Sequence, residues 1–257
     1  MKKLSLSIIL LASTLSSVQA KEPSHDMAAN KHKAAHWGYE GDVGPEHWGE
    51  MSDKFKLCSS GENQSPIDIK SNFDVDLPPV KFDYTAKTSK IVNNGHTIQV
   101  DVKPGSRITV DGKSFDLKQF HFHTPSENKI NGKSFPLEAH FVHRNSDENS
   151  FAVVAVMFKE GEANPVLEKI WEQMPNKAGG VTKLENTLDY TKLLPKDQDY
   201  YRFNGSFTTP PCTEGVYWHV MKTPLSASKA QIEKFLATMH HPNNRNIQKI
   251  HARVIVD

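Results

Sequence analysis

The stretch Gln119–Glu127, QFHFHTPSE, sets His121 and His123 two residues apart among Phe120 and Phe122, with the carboxylate of Glu127 four places further on. Side chains alternate along a strand, so Gln119, His121 and His123 share one face and the phenylalanines the other. The phenylalanines read as core, which turns the histidines toward a cavity. A second strand-like run, PLEAHFVH (Pro136–His143), carries His140, and Asn131-Gly132 between the two runs is a strong signal for a two-residue hairpin turn. That turn predicts His123 directly opposite His140, with His121 on the diagonal, within about 7–8 Å. Pro125 and Pro136 cannot donate to a ladder and leave this register loose.

Three neutral imidazoles with a fourth position open are the ligand set of a catalytic zinc site, where the pKa of bound water falls to about 7. His121 and His123 alone would read as an ordinary core or surface pair; His140 makes metal ligation the expectation. Gln119 and Glu138 share faces with His121 and His140 and could orient them from behind. Glu127 and Glu138 each also read as a plain exposed polar residue. The same letters fit the His-x-His-x-x-x-Glu set of cupins, in which Glu127 would bind metal directly. That reading lacks a second Pro-x-Gly-x-x-His segment and leaves the placement of His140 an accident.

These residues sit in a chain whose other signals are mainly β. HTIQVDV (96–102), RITV (107–110), LKQFHFH (117–123), LEAHFVH (137–143) and FAVVAVMF (151–158) are short, rich in β-branched or aromatic residues and bounded by turn formers. FAVVAVMF is apolar on both faces and reads as a central buried strand. Helical periodicity is confined to NPVLEKIWEQM (164–174) and SASKAQIEKFLATM (226–239); the second has a serine cap and Ile232, Phe235, Leu236 and Met239 on one face. The expectation is one domain with a large, mostly antiparallel sheet and peripheral helices.

The first 20 residues, with Lys2, Lys3, the run Ile8–Leu11 and the ending Val18-Gln19-Ala20, read as a secretory signal peptide. No later segment approaches the ~20 continuous apolar residues of a membrane span. An exported protein, periplasmic or extracellular, is expected. Without Lys2 and Lys3 the chain carries 29 basic and 30 acidic residues with no run of one sign, which gives no reason to expect nucleic acid as a partner. Residues 21–36 form a polar arm whose His25, His32 and His36 have nothing to fix a metal geometry, so it reads as a solvated tail. Cys58 and Cys212 are the only cysteines, and an oxidising compartment predicts that they pair.

HWGYEG and GPEHW (36–48), QSPIDI (64–69), NNGHTIQV (93–100), QFHFHTPSE, PLEAHFVH, FNGSFTTPPCTEGVYW (203–218) and NNR (243–245) stand in one order along the chain. By these stretches the chain resembles the α-class carbonic anhydrases, with a catalytic domain over 37–257. The resemblance implies a ten-stranded, twisted, mostly antiparallel sheet and reversible hydration of carbon dioxide to bicarbonate. It makes His121, His123 and His140 the ligands of Zn2+, with Gln119 and Glu138 behind them. It makes Thr208 a gatekeeper that donates to Glu127, orients the attacking hydroxide and offers its backbone N–H to the developing oxyanion. Val142, Val153, Phe207, Thr209 and Trp218 would bound the carbon dioxide pocket. His96 would be the proton shuttle, with Tyr39, Asn94 and Gln99 along the water path. Cys58 and Cys212 match the disulfide of exported bacterial members, and the Ser65-Pro66 and Pro210-Pro211 bonds are expected to be cis. A monomer or homodimer fits the family. Phe207 where leucine is commonest, Asn128 where histidine is common after the glutamate, and Asn246 where proline is usual depart from the pattern. An inactive, carbonic-anhydrase-like binding module is the competing class, but such members usually lack a zinc histidine.

Overall fold

A computed structural model describes residues 36–184 and 188–257; the expected signal peptide, and the arm before His36, lie outside the described residues. The strands in chain order begin with β1 (Asp68–Ile69), β2 (Lys81–Asp83), β3 (Thr88–Asn93), β4 (Ile98–Val102), β5 (Arg107–Val110), β6 (Lys113–His123) and β7 (Lys129–Ile130). They continue with β8 (Leu137–Asn145), β9 (Ser150–Glu160), β10 (Val181–Lys183), β11 (Tyr200–Ser206), β12 (Glu214–Met221) and β13 (Leu225–Ala227). Short helices α1 (Trp48–Met51) and α2 (Leu57–Ser60) precede the sheet, and α3 (Pro165–Gln173) and α4 (Lys229–Met239) pack on it. No helix among the described residues is long and apolar enough to cross a membrane.

Eleven strands form one sheet, in which β10-β3-β4-β6-β8-β9-β12-β11 are neighbours, β13 joins β9, and β5 links β2 to β6. The expected antiparallel pattern holds except where β12 and β13 run parallel to β9. A long excursion through α3 and β11 separates β9 from β12, and only such a crossover permits a parallel pair. β9 is buried from Ala152 to Phe158, as its two-sided apolar sequence predicts.

Strand registry sets out the site as rows across the sheet. Gln119, Val142, Val153 and Trp218 occupy one row on one face, and His121, His140 and Ala155 the next. Phe120, Phe122 and Phe141 point the other way into the main core, which α3 and α4 cover.

The register differs from the expectation by two residues: His121, not His123, faces His140, and His123 faces Glu138. The Asn131-Gly132 turn does form, with Ile130 bridging Lys133 and positive φ at both turn residues. The extra length is taken up at Glu127–Lys129, where the Glu138 carboxylate accepts the backbone N–H groups of Glu127 and Asn128 at 2.6 and 3.0 Å. Lys129 and Ile130 then pair with β1 instead of with β8.

Both long helices start on side-chain caps. Asn164 accepts from the backbone of Val166 and Leu167 ahead of Pro165, and Ser228 with Gln231 forms a capping box. Gln231 also accepts the Asn164 backbone N–H, while its carbonyl accepts Trp171 Nε1, so one residue ties α3 to α4. Phe235 and Met239 are buried as predicted; Leu236 instead points outward and is 37% exposed. Cys58 and Cys212 are joined across 154 residues. The Ser65-Pro66 and Pro210-Pro211 bonds are cis, as is Thr124-Pro125, which the sequence had not suggested.

Candidate metal centre

β6 and β8 carry the three histidines, and one nitrogen from each lies within 4.8 Å of the others. The remaining nitrogens are fixed from outside. His121 Nδ1 meets Gln119 Oε1 at 2.9 Å, His123 Nδ1 meets the Asn243 carbonyl at 2.7 Å, and His140 Nε2 meets Glu138 Oε1 at 2.9 Å. Carbonyl partners can only accept, so the outer nitrogens of His121 and His123 donate their N–H and their inner lone pairs are left for a cation, while His140 Nε2 faces the Glu138 carboxylate at ion-pair distance without hydrogen-bond alignment. Burial depresses the pKa of all three, most strongly for His121 and His140, so each imidazole is neutral and free to act as a ligand.

Gln119 and Glu138 thus lie where the sequence reading put them. Glu138 is engaged further, by the two backbone donors above and by Asn128 Nδ2 at 2.8 Å. Asn128, whose Oδ1 accepts the Ile67 N–H at 3.1 Å, therefore gives this departure from the family pattern a supporting place. Asn243 was not assigned a role from sequence, because the group that holds His123 is a backbone carbonyl, which any residue carries.

Glu127 is buried beside the triad. Its Oε1 accepts the Arg245 backbone N–H at 2.9 Å, and its Oε2 stands 3.4 Å from His123 Nε2 and 3.8 Å from His140 Nδ1. Burial pushes its carboxyl up to about 8, while the Thr208 hydroxyl and the Arg245 N–H pull the other way. Neither His123 Nε2 nor Glu127 Oε2 has a hydrogen-bond partner. Buried polar atoms left unpaired are costly, and a cation between the inner nitrogens removes that cost for His123; the residues fit a tetrahedral zinc ion.

The Phe207–Cys212 loop is held by its own backbone and by the sheet below. Phe207 N–H bonds the Thr213 carbonyl at 3.0 Å, Cys212 N–H bonds that of Thr209 at 2.8 Å, and Gln64 Nε2 bonds that of Cys212 at 3.0 Å. A Cβ on Gly205 would fall 2.1 Å from Ser65 Oγ, so only glycine lets β11 approach the Gln64–Ser65 segment. Arg245 closes the arrangement: its guanidinium donates to Gln64 Oε1 and to the Ser65 and Cys58 carbonyls and lies 5.7 Å from the Trp48 ring.

Val142, Val153, Phe207 and Trp218 belong to one apolar cluster on the triad's side, and the Trp218 ring lies 5.0 Å from His140. The Phe207 ring packs edge-on against Phe151 at 4.9 Å, a neighbour the sequence reading did not name. On the other side a cleft of about 130 Å3 runs from His121 and His123 past Thr209 and Gln99 to Tyr39 and His96. A larger cleft of about 520 Å3 between Asp74 and Lys222 contains no histidine, so size does not mark the site.

At the cleft mouth His96 stacks on Trp37 with centroids 3.7 Å apart. Burial and the neighbouring His36 and His241 hold its pKa below the usual value. Asn94 Oδ1 accepts the backbone N–H groups of His96 and Thr97, so that oxygen shapes the turn. Gln99 donates to Asp101 Oδ1 at 2.6 Å.

Three inward nitrogens around one focus, with a buried carboxylate behind and a polar cleft in front, form a candidate mononuclear metal site on a β scaffold. Residues 43–257 match a family model described as eukaryotic-type carbonic anhydrase. Carbonic anhydrases of Pectobacterium carotovorum and Neisseria gonorrhoeae are 47% and 48% identical to this chain, covering 89% and 86% of it and 93% and 88% of their own lengths. The solved α-carbonic anhydrase of Thermovibrio ammonificans, in complex with the inhibitor sulfanilamide, superposes with a TM-score of 0.85 at 49% identity, over 87% of this chain and 99% of that one. The chain belongs to the eukaryotic-type, or α, carbonic anhydrase family, and as a carbonic anhydrase it acts on carbon dioxide and bicarbonate.

Proposed function

We propose that this protein hydrates carbon dioxide to bicarbonate and a proton, reversibly, at a zinc ion held by His121, His123 and His140. The observation that carries the reading is the convergence of one nitrogen from each of three buried imidazoles beside Glu127, with the outer nitrogens of His121 and His123 hydrogen-bonded and that of His140 against the Glu138 carboxylate. Zinc so held supplies a Lewis acid that brings the pKa of a water ligand to about 7.

The chain's own residues do the rest. Glu127, anchored by the Arg245 N–H, accepts from Thr208, whose hydroxyl must then accept from the reacting oxygen and so aims its lone pair. Val142, Val153 and Trp218 hold carbon dioxide by shape without competing as ligands, and Phe207 bounds the same wall. The Thr208 N–H faces the oxygen on which charge grows, with Thr209 beside it. The proton leaves along the polar cleft past Tyr39, Asn94 and Gln99 to His96, whose imidazole exchanges protons near neutral pH. Export agrees with the disulfide.

Metal analysis joined to a pH-indicator assay tests this. One zinc per chain and carbon-dioxide-dependent acidification are expected. Zinc-loaded protein that leaves the indicator unchanged would overturn the reading.

A further inference from the structure

We propose that His241, packed beside Tyr39 at the edge of the cleft, is a second proton carrier working in parallel with His96; the inference rests on the hydration reading above. Three imidazoles from three separate segments gather there. The His36 ring lies 6.3 Å from that of His96, and Tyr39 stands between the other two, 6.4 Å from His96 and 6.0 Å from His241. His241 is half-buried, as is His96, while His36 is exposed.

The position of His241 is built. Its Nδ1 meets the Pro242 carbonyl at 2.9 Å, so Nδ1 carries the N–H and the acceptor lone pair lies on Nε2. Two residues on, Asn243 Nδ2 donates to the His96 carbonyl at 3.0 Å and the Asn243 carbonyl holds His123. One segment therefore spaces His241 from both the metal ligand and the first carrier. Tyr39 cannot carry the proton itself, because burial, with Glu127 nearby, holds its phenol pKa well above 10. Its ring packs against both imidazoles. A proton leaving the cleft past Tyr39 meets an imidazole on either side, and charge on His241 adds to the burial and the His36 charge that lower the pKa of His96. Two carriers that repel one another's protons discharge to solvent more readily than one alone.

The test is stopped-flow hydration with wild type, His96→Ala, His241→Ala and the double variant, reading kcat and kcat/KM separately. Loss of a carrier lowers kcat and spares kcat/KM, since the carbon dioxide step precedes proton export. His241→Ala should cost under about twofold in kcat alone but roughly threefold or more when His96 is already alanine, and added imidazole should restore the double variant. His241→Gln, polar but not titrating, should behave as His241→Ala. In a proton NMR titration, His241→Ala should raise the His96 pKa. A double variant no slower than His96→Ala overturns the proposal, as does a His241→Ala loss shared equally by kcat and kcat/KM, which would mean a disturbed metal site. Zinc-loaded wild type inactive toward carbon dioxide overturns the hydration reading and this inference together; an active enzyme indifferent to His241 overturns only the inference.

Discussion

The sheet carries His121, His123 and His140 on one face and His143 and His219 on the other, and burial depresses the pKa of all five. The rear pair looks equally functional by that measure. His143 is held to about 3 and His219 to about 4. What differs is where the nitrogens go. His143 spends both, on the Tyr84 hydroxyl at 2.7 Å and the Ala152 carbonyl at 3.3 Å. His219 packs 5.3 Å from Tyr200 and neither nitrogen bonds, the nearby Val153 carbonyl falling outside bonding geometry. A depressed histidine is thus a sign of burial; a ligand is a histidine with one nitrogen fixed and the other aimed where others aim.

Replacing one histidine on each face breaks this contrast most sharply. His140→Ala should abolish nearly all zinc binding and hydration, well beyond the roughly 10- to 100-fold that loss of an outer partner costs. His143→Ala should leave one zinc per chain but destabilise by about 2–4 kcal/mol, through the cavity and the orphaned Tyr84 hydroxyl. Metal analysis and urea unfolding read the two; zinc lost equally from both would erase the distinction between the faces.

Removing an outer partner is the next step down. Gln119→Ala should weaken zinc by about 10- to 100-fold by freeing His121 to rotate, with the fold intact. Competition against a chelator measures it, and unchanged affinity would mean that the neighbouring strands alone hold the ring.

Acid sharpens the rear side. As pH falls below about 6.5 the unfolded chain protonates its histidines, while folded His143 and His219 resist to about 3 and 4. Their contribution is therefore intact above pH 6.5 and is lost on the way down, by up to about 1.4 kcal/mol per unit for each group, levelling at the folded pKa. His219→Leu should raise stability by about 1 kcal/mol at pH 7, since an unpaired polar ring is replaced by an apolar one. It should also flatten the decline between pH 6.5 and 4.5 in urea unfolding relative to wild type; an unchanged slope would show His219 titrating freely.

How legible these features were in the sequence follows from the kind of group involved. Alternation alone put Gln119, His121 and His123 on one face and brought β8 against them, and the Asn131-Gly132 turn formed where its chemistry demands. The two-residue slip came from Glu138 capturing the backbone of Glu127 and Asn128, an interaction that no local pattern encodes. The parallel neighbours of β9 were hidden because a strand apolar on both faces reads the same whichever way its partner runs. The Asn243 carbonyl on His123 and the Trp37 stack on His96 join segments far apart in the chain, and only the fold brings them together.

Asn243 follows His123 by 120 residues, so a ribosome finishes the ligand strands long before it makes the residue that fixes the second ligand. Until that residue is made, His123 has its neighbours on β6 and β8 but lacks the carbonyl that orients its ring. A chain broken off after α4 would keep its three histidines yet is expected to hold zinc about 10- to 100-fold more weakly.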